Sequence, residues 1–187
     1  MFIIPTGDFH SIPLVIRELR RIQPESVLDI GPGFGKWGVI VREYLEVWYH
    51  KRFHRKDWKI TLDAVEANRE YSNRLKDLIY NNVYFTDIES FLKGDHKNYD
   101  CVLMLDVIEH LPKENGLKVL KQLQEMSDNI IIITPRRLSM TKSNWNTWED
   151  HKCVWSKQEF EELGFQDVRE LIHGPIFAVW NKPKNLN

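Results

Sequence analysis

The chain alternates between short apolar runs and segments whose apolar residues recur at helical spacing. A short continuous apolar run is typical of a buried strand, whereas apolar residues three and four positions apart are typical of an amphipathic helix. This pattern predicts strands at 26–30, 60–67, 82–87, 99–108, 129–134, 165–173 and 175–181, and helices at 11–22, 36–50, 69–80, 113–126 and 156–164.

The order of these elements indicates the fold class. Repeated alternation of strands and helices favours a doubly wound, mostly parallel sheet with helices on both faces. The last two strands are separated only by the turn His173-Gly174-Pro175, which predicts an antiparallel hairpin. The sequence therefore predicts an α/β protein with a Rossmann-like, mostly parallel seven-stranded sheet that ends in a C-terminal antiparallel hairpin. We expect a single domain over residues 1–182 and a disordered tail at 183–187.

Composition narrows the classes of partner. The net charge of the 187 residues is -1, which gives no electrostatic case for a nucleic-acid or membrane partner. No apolar run approaches the roughly 18 residues of a membrane span, and the apolar start "MFIIP" is too short for a signal peptide. Cys101 lies in a predicted buried strand, so we expect no disulfide with Cys153. These features predict a cytoplasmic protein.

The stretch "SVLDIGPGFGKWG" (26–38) places a glycine-rich loop between a strand and a helix. Backbone N–H groups in such a loop can point at a ligand, and glycines allow its close approach. A dinucleotide fingerprint needs glycine where Lys36 stands, and a P-loop needs serine or threonine where Trp37 stands. The carboxylate of Asp29 would repel a pyrophosphate but would favour S-adenosylmethionine, which has two positive charges near its centre and no phosphate. The alternative is a turn needed only for strand-to-helix packing.

Acidic residues end the next three predicted strands, namely Glu66, Asp87 and Asp106. In a doubly wound sheet, the acid at the tip of the second strand binds ribose hydroxyls, which assigns this role to Glu66. Asp87 is placed to accept a hydrogen bond from an adenine amino group, and Asp106 lies next to the point where the strand order reverses. For each acid alone, the alternative is a solvated strand end.

Over nearly its whole length the chain resembles the class I S-adenosylmethionine-dependent methyltransferases. "VLDIGPGFGKWG" resembles the first motif of that family, "AVEAN" the second, "TDIES" the third and "YDCVLMLDVIEHL" the fourth. The resemblance implies a methyltransferase with S-adenosyl-L-methionine as its cofactor. It also implies the cofactor-binding residues, which are Asp29, Gly31, Pro32 and Gly33 at the methionine end, Glu66 and Asn68 at the ribose, and Asp87, Ile88, Leu105 and Asp106 around the adenine.

A second group of candidate residues begins at the end of the fourth strand. Asp106, Glu109 and His110 fall within one turn, and the later segment "WEDHKC" adds His151. This combination resembles the ubiquinone-pathway O-methyltransferases and the small-RNA 2′-O-methyltransferases, in which such residues are associated with a divalent cation. Asp106 stands where the small-RNA enzymes have glutamate, and it has the shorter reach.

Two functional interpretations of this group stay open. In one, Asp106, Glu109, His110 and His151 hold Mn²⁺ or Mg²⁺, which binds the acceptor oxygen and lowers its pKa. In the other, His110 or His151 is a general base, the catalytic candidates are His110, His151 and Asp106, and no metal takes part. We favour the base, because "DVIEHL" occurs widely in class I methyltransferases with no metal implied. A purely structural reading has His110 capping the loop and His151 bonding to backbone.

The sequence says least about the acceptor. Segment 135–153 follows the fifth strand, where this fold places substrate contacts, and it contains Trp145 and Trp148. We predict a small-molecule acceptor that is methylated on oxygen. One alternative is an RNA acceptor, bound through the basic segment 50–59 and through Arg136 and Arg137 after the fifth strand. The other is a non-catalytic cofactor-binding module.

Overall fold

The structure is a computed structural model that describes residues 7, 9–71, 74–137, 147–172 and 174–183. The described residues form seven strands: β1 (Ser26–Ile30), β2 (Thr61–Val65), β3 (Asn82–Tyr84), β4 (Cys101–Leu105), β5 (Asn129–Pro135), β6 (Asp167–Glu170) and β7 (Pro175–Asn181). They form one sheet in the order β3-β2-β1-β4-β5-β7-β6. The first five strands pair in parallel, whereas β7 runs antiparallel to both of its neighbours.

The α-helices of the described residues are α1 (Ile12–Ile22), α2 (Lys36–Val41), α3 (Arg74–Ile79), α4 (Ile88–Lys93), α5 (Lys113–Met126) and α6 (Lys157–Glu162). Helix α2 continues without a break as a π-helix over Arg42–Tyr49. Within the described ranges, no helix combines the length and the apolar character that crossing a membrane requires.

The helices cover both faces of the sheet with separate apolar cores. On one face, Val15 and Leu19 of α1 pack with residues of α2 and its π-helical extension. On the other face, Leu120 of α5 and Phe160 of α6 pack with residues of α4. Strand β4 lies in the middle of the sheet, and all five of its residues are buried, as expected of a parallel strand that is covered on both sides.

The predicted fold class is confirmed, including the antiparallel hairpin of β6 and β7. A capping box formed by Ser156 and Glu159 begins α6. Strand β4 is shorter than the predicted 99–108, because Asp106 adopts a left-handed φ of 57° and turns the chain out of the sheet. The tail residues 184–187 lie outside the described part of the chain.

Helix α4 is an element that the apolar pattern does not predict. It has only six residues, too few to establish a helical period. Its signal is local: the carboxylate of Asp87 accepts a hydrogen bond from the Ser90 backbone N–H at 2.8 Å and so caps the helix. The predicted strand 82–87 therefore ends at Tyr84, and Asp87 belongs to the start of the helix.

A buried ionic network fixes the π-helical segment to the start of β2. The carboxylate of Glu46 is inaccessible to solvent and accepts hydrogen bonds from the backbone N–H groups of Lys59 and Ile60, at 2.8 and 2.7 Å. It also accepts from the Arg42 and Arg52 guanidinium groups at 3.3 and 2.6 Å. The Glu46 carboxylate therefore joins the π-helical segment to the two residues that precede β2.

The network yields a stability prediction. Glu46→Ala should lower the free energy of unfolding by about 3–5 kcal/mol, because the Arg42 guanidinium stays buried without its carboxylate partner. The measurement is urea unfolding followed by circular dichroism. Glu43→Ala, on the exposed side of the same π-helix, is the matched control and should change the stability by less than about 0.5 kcal/mol. Equal stability of the two variants would contradict the role of the network.

Candidate active site

A cavity of about 340 Å³ opens at the edge where the parallel strands end. Its volume lies in the range of small-molecule sites, roughly 300–1,000 Å³. Residues that follow β1, β2, β4 and β5 line it, so it occupies the place where the strand order reverses between β1 and β4. Ligands of doubly wound sheets bind at this crevice.

The glycine loop after β1 forms one wall of the cavity. Gly31 has a φ of 68°, and its N–H donates to the Val65 carbonyl at 2.8 Å. A Cβ at position 31 would lie 2.5 Å from Cγ2 of Val107, which belongs to the loop after β4. Only glycine lets these two loops meet, because a side chain would be strained in conformation and would overlap Val107. Pro32 and Gly33 also line the cavity.

Glu66 lies directly after β2 and is 4% exposed. Its carboxylate accepts from the backbone N–H of Gly33 at 3.0 Å and of Asn68 at 2.8 Å. These bonds fix the carboxylate at the cavity wall. Two carboxylate oxygens offer about four acceptor positions, so the group has capacity for ligand hydroxyls as well.

Asp87, Ile88 and Leu105 lie on the cavity wall beyond Glu66. Burial alone would raise the pKa of Asp87, but hydrogen bonds from the side chain and backbone of Ser90 outweigh it and lower that pKa. These hydrogen bonds favour the ionised form of Asp87, which caps α4 and lines the cavity. Buried Ile88 and Leu105 add apolar surface suited to a flat ring.

The position of Asp29 corrects the sequence-based expectation. Among the described residues Asp29 is not part of the cavity lining, and its side chain is fully buried toward the helix layer. Its carboxylate accepts a hydrogen bond from the Tyr80 hydroxyl at 2.6 Å. Burial, and then the charge of Asp29, raise the pKa of Tyr80 well above its usual value. The Tyr80 oxygen in turn accepts from the Gly38 N–H at 3.1 Å, so Asp29 is linked through Tyr80 to α2.

The second candidate group converges in the same cavity. Glu109, His110 and His151 offer donor atoms that all lie within 4.8 Å of one another. The two imidazole centroids are 5.0 Å apart, with the rings at 74°. Asp106 lines the cavity but is not one of these three, so the structure brings together three of the four residues considered for a metal. Its N–H donates to the Ile133 carbonyl at 2.8 Å.

Hydrogen bonds join the segment that contains His110 to the segment that contains His151. The Glu109 carbonyl accepts from the N–H groups of Lys152 and Cys153 at 2.8 and 3.2 Å, which anchors the chain after His151. The Glu109 carboxylate accepts from the Thr134 hydroxyl at 3.0 Å. Nδ1 of His110 lies 3.3 Å from the Asp150 carbonyl oxygen. A carbonyl only accepts, so this contact assigns the proton to Nδ1 and leaves the lone pair on Nε2.

Burial favours the neutral form of every member of this group. The pKa of Glu109 is raised well above its usual range by desolvation and then by the charge of Asp106. Desolvation lowers the pKa of His110. The pKa of His151 is lowered by desolvation and then by His110. A neutral imidazole at physiological pH is the form that can accept a proton.

The sequence analysis singled out Trp148 but did not assign Tyr71, Glu149 or Lys36 to the cavity. The Tyr71 hydroxyl donates to the Glu149 carboxylate at 2.6 Å, and Trp148 lines the cavity beside them, half exposed. Lys36 also lines the cavity, and its ammonium donates to the Gly7 carbonyl at 2.8 Å. These contacts join residues far apart in sequence, so no local pattern predicts them. Trp145 lies outside the described residues.

Comparison with known proteins defines the class. Residues 10–170 match the family described as "Methyltransferase domain", so the chain belongs to that family. S-adenosylmethionine is the cofactor of the family, and the chain is an S-adenosylmethionine-dependent methyltransferase domain. No curated protein matches the sequence significantly.

Solved structures share the fold at low sequence identity. An O-methyltransferase family protein from Burkholderia thailandensis aligns over 94% of this chain and 57% of its own, with a TM-score of 0.65 and 13% identity. TehB from Haemophilus influenzae aligns over 91% and 62%, with a TM-score of 0.65 and 16% identity. The methyltransferase domain of bacterial CtHen1-CN aligns over 93% and 100%, with a TM-score of 0.57 and 19% identity. The chain thus spans about three fifths of the length of the first two proteins.

The geometry of Glu66 yields a binding prediction. Glu66→Gln should weaken binding of S-adenosylhomocysteine by about 1.5–3 kcal/mol, the scale of hydrogen bonds to a charged group, because the amide loses acceptor positions for ribose hydroxyls. Isothermal titration calorimetry measures the change. Glu70→Gln, at an exposed position nearby, should leave the affinity unaltered. Equal affinities for all three proteins would move the ribose site elsewhere.

Proposed function

We propose that this domain transfers the methyl group of S-adenosylmethionine to a hydroxyl oxygen of a small-molecule acceptor. The observation that carries the proposal is His110, whose Nδ1 is held by the Asp150 carbonyl while the ring lines the cavity. A hydroxyl acceptor needs a base, and this imidazole is in the protonation state of one.

The residues assigned to the cofactor line one part of the cavity, here called the donor half, which supports this assignment. In the proposal Glu66 and Asn68 bind the ribose, and Asp87, Ile88 and Leu105 surround the adenine. Gly31, Pro32 and Gly33 are assigned to the methionine end, and Asp106, assigned above to the adenine, also lines the cavity. When bound, the cofactor supplies an electrophilic methyl group.

His110 and His151 lie at the acceptor half of the cavity. Nε2 of His110 takes the proton of the acceptor hydroxyl as the oxygen attacks, and the Asp150 carbonyl holds the proton already on Nδ1. The edge of His151 contacts the His110 ring and limits how the acceptor approaches. Alignment and exclusion of water then contribute most of the acceleration, because the reaction removes charge from the cofactor and creates none there.

A divalent cation is the second candidate feature of this site. The observation that favours it is the convergence of one carboxylate and two imidazoles, Glu109, His110 and His151, a donor set that suits a first-row ion such as Mn²⁺. A cation there would hold Glu109 ionised and would lower the pKa of an acceptor hydroxyl. We favour the base because it uses the proton arrangement of His110 as it stands.

An RNA acceptor has less support. Five carboxylates line the cavity among the described residues, Glu66, Asp87, Asp106, Glu109 and Glu149, against one ammonium, that of Lys36. The basic segment 50–59 directly precedes β2. It therefore lies at the opposite edge of the sheet from the cavity. Phosphates near the cavity would meet repulsion and would gain nothing from that segment.

The base assignment predicts a mutational and pH signature. His110→Ala should reduce turnover by roughly 10²–10⁴-fold and keep S-adenosylhomocysteine binding. Since burial lowers the His110 pKa from 6.5, the imidazole stays neutral to below that pH. Activity of the wild type should therefore fall only as the pH drops through this lowered pKa. Mass spectrometry of S-adenosylhomocysteine formed with a panel of phenols measures both. His54→Ala, at an exposed position, should behave as wild type. Full activity of His110→Ala would refute the assignment.

Chelation separates the base from the metal. We expect a methyltransferase assay with EDTA to retain its full rate, because the base mechanism requires no ion. Added Mn²⁺ should give no stimulation. Loss of turnover in EDTA that Mn²⁺ restores would instead assign Glu109, His110 and His151 as metal ligands.

A further inference from the structure

We infer that Lys36 binds the carboxylate of the cofactor's methionine group and that Gly7 is the residue that positions Lys36. The inference rests on the cofactor assignment and does not depend on the identity of the acceptor. It gives a role to two residues that lie far apart in sequence and meet at one end of the cavity.

The charges of the cavity single out Lys36. The α-amino acid end of S-adenosylmethionine carries both a carboxylate and an ammonium group. The carboxylates of Glu66, Asp87, Asp106 and Glu149 in the described lining would repel its carboxylate. Lys36 is the one lysine or arginine of the described lining, and it directly follows the glycine loop.

Helix stability does not explain a lysine at this position. Lys36 is the first residue of α2, and a cation in the first turn is disfavoured by the helix macrodipole. Its ammonium lies 4.7 Å from the centroid of the Trp37 ring, which favours a cation there by a modest amount. A carboxylate ligand would add a charge-assisted hydrogen bond, which is a stronger interaction.

Gly7 fixes the direction of the ammonium group. The Lys36 ammonium donates to the Gly7 carbonyl at 2.8 Å. A lysine ammonium carries three N–H donors, and the bond to the Gly7 carbonyl uses one of them. Gly7 itself lines the cavity, so the ammonium is held at the cavity wall.

The same residue brings an opposite charge close to Lys36. A Cβ at position 7 would lie 1.7 Å from Oδ2 of Asp106 and 3.6 Å from Nζ of Lys36. A side chain at position 7 would therefore require the Asp106 carboxylate to move. Lys36 and Asp106 together present one charge of each sign, which complements a zwitterionic amino-acid group. Any substitution of Gly7 should disturb both.

Two ligands test the inference. S-adenosylhomocysteine has the amino-acid group, whereas methylthioadenosine has the same nucleoside and thioether but lacks it. In calorimetric titrations, Lys36→Met should weaken S-adenosylhomocysteine about 10- to 100-fold, the scale of a hydrogen bond to a charged group. Its affinity for methylthioadenosine should stay within about twofold of wild type, since every remaining contact is shared. Lys36→Arg should recover part of the loss because it restores the positive charge.

Gly7→Ala tests the positioning role. It should weaken S-adenosylhomocysteine more than methylthioadenosine, with an unchanged melting temperature in the absence of ligand. Lys118→Met, on the exposed face of α5, is the control for charge removal and should bind both ligands as wild type does. Equal weakening of both ligands by Lys36→Met, or no weakening of S-adenosylhomocysteine, would overturn the inference. Failure of the wild type to bind either ligand would overturn the cofactor assignment as well, whereas methyl transfer to a given acceptor has no bearing on these titrations.

Discussion

The carboxylate of Glu66 is the contact on which the shape of the cavity depends. It accepts one N–H from the loop after β1, at Gly33, and one from the loop after β2, at Asn68. The Glu66 side chain therefore adds a link between the two loops to the backbone bond from the Gly31 N–H to the Val65 carbonyl. The wall between them exists because the carboxylate satisfies donors that would otherwise face an apolar interior.

Much of the fold was predictable because it depends on local patterns. The continuous apolar run of β4 predicts a strand covered on both faces, and the short connection before β7 predicts the antiparallel hairpin. The π-helix was not predictable, since it depends on Glu46 meeting Lys59 and Ile60 across a gap of more than ten residues. The spacing of apolar residues cannot distinguish an α-helix from a π-helix over a segment of eight residues.

The site divides in the same way. Glu66, Asp87 and Asp106 follow strands, so their arrival at one edge of the sheet follows from parallel topology. Asp29 differs from these residues because it lies within β1. Its side chain points to the helix layer, where it accepts a hydrogen bond from the Tyr80 hydroxyl. Lys36 is the opposite case. From the sequence, Lys36 served only to exclude a dinucleotide fingerprint. Its position on the cavity wall depends on a contact with Gly7, which is far away in the sequence.

The bond between Tyr71 and Glu149 ties the two halves of the cavity together. Tyr71 follows Glu66 on the donor side, while Glu149 precedes the histidine at the acceptor side. A ligand that displaces Tyr71 or Glu149 breaks this hydrogen bond and leaves the other side chain without it. By thermodynamic linkage, whatever occupancy of the donor half does to acceptor affinity, occupancy of the acceptor half does to cofactor affinity by the same factor. The Tyr71 hydroxyl thus offers a route by which a ligand in one half of the cavity changes the affinity of the other half for its ligand.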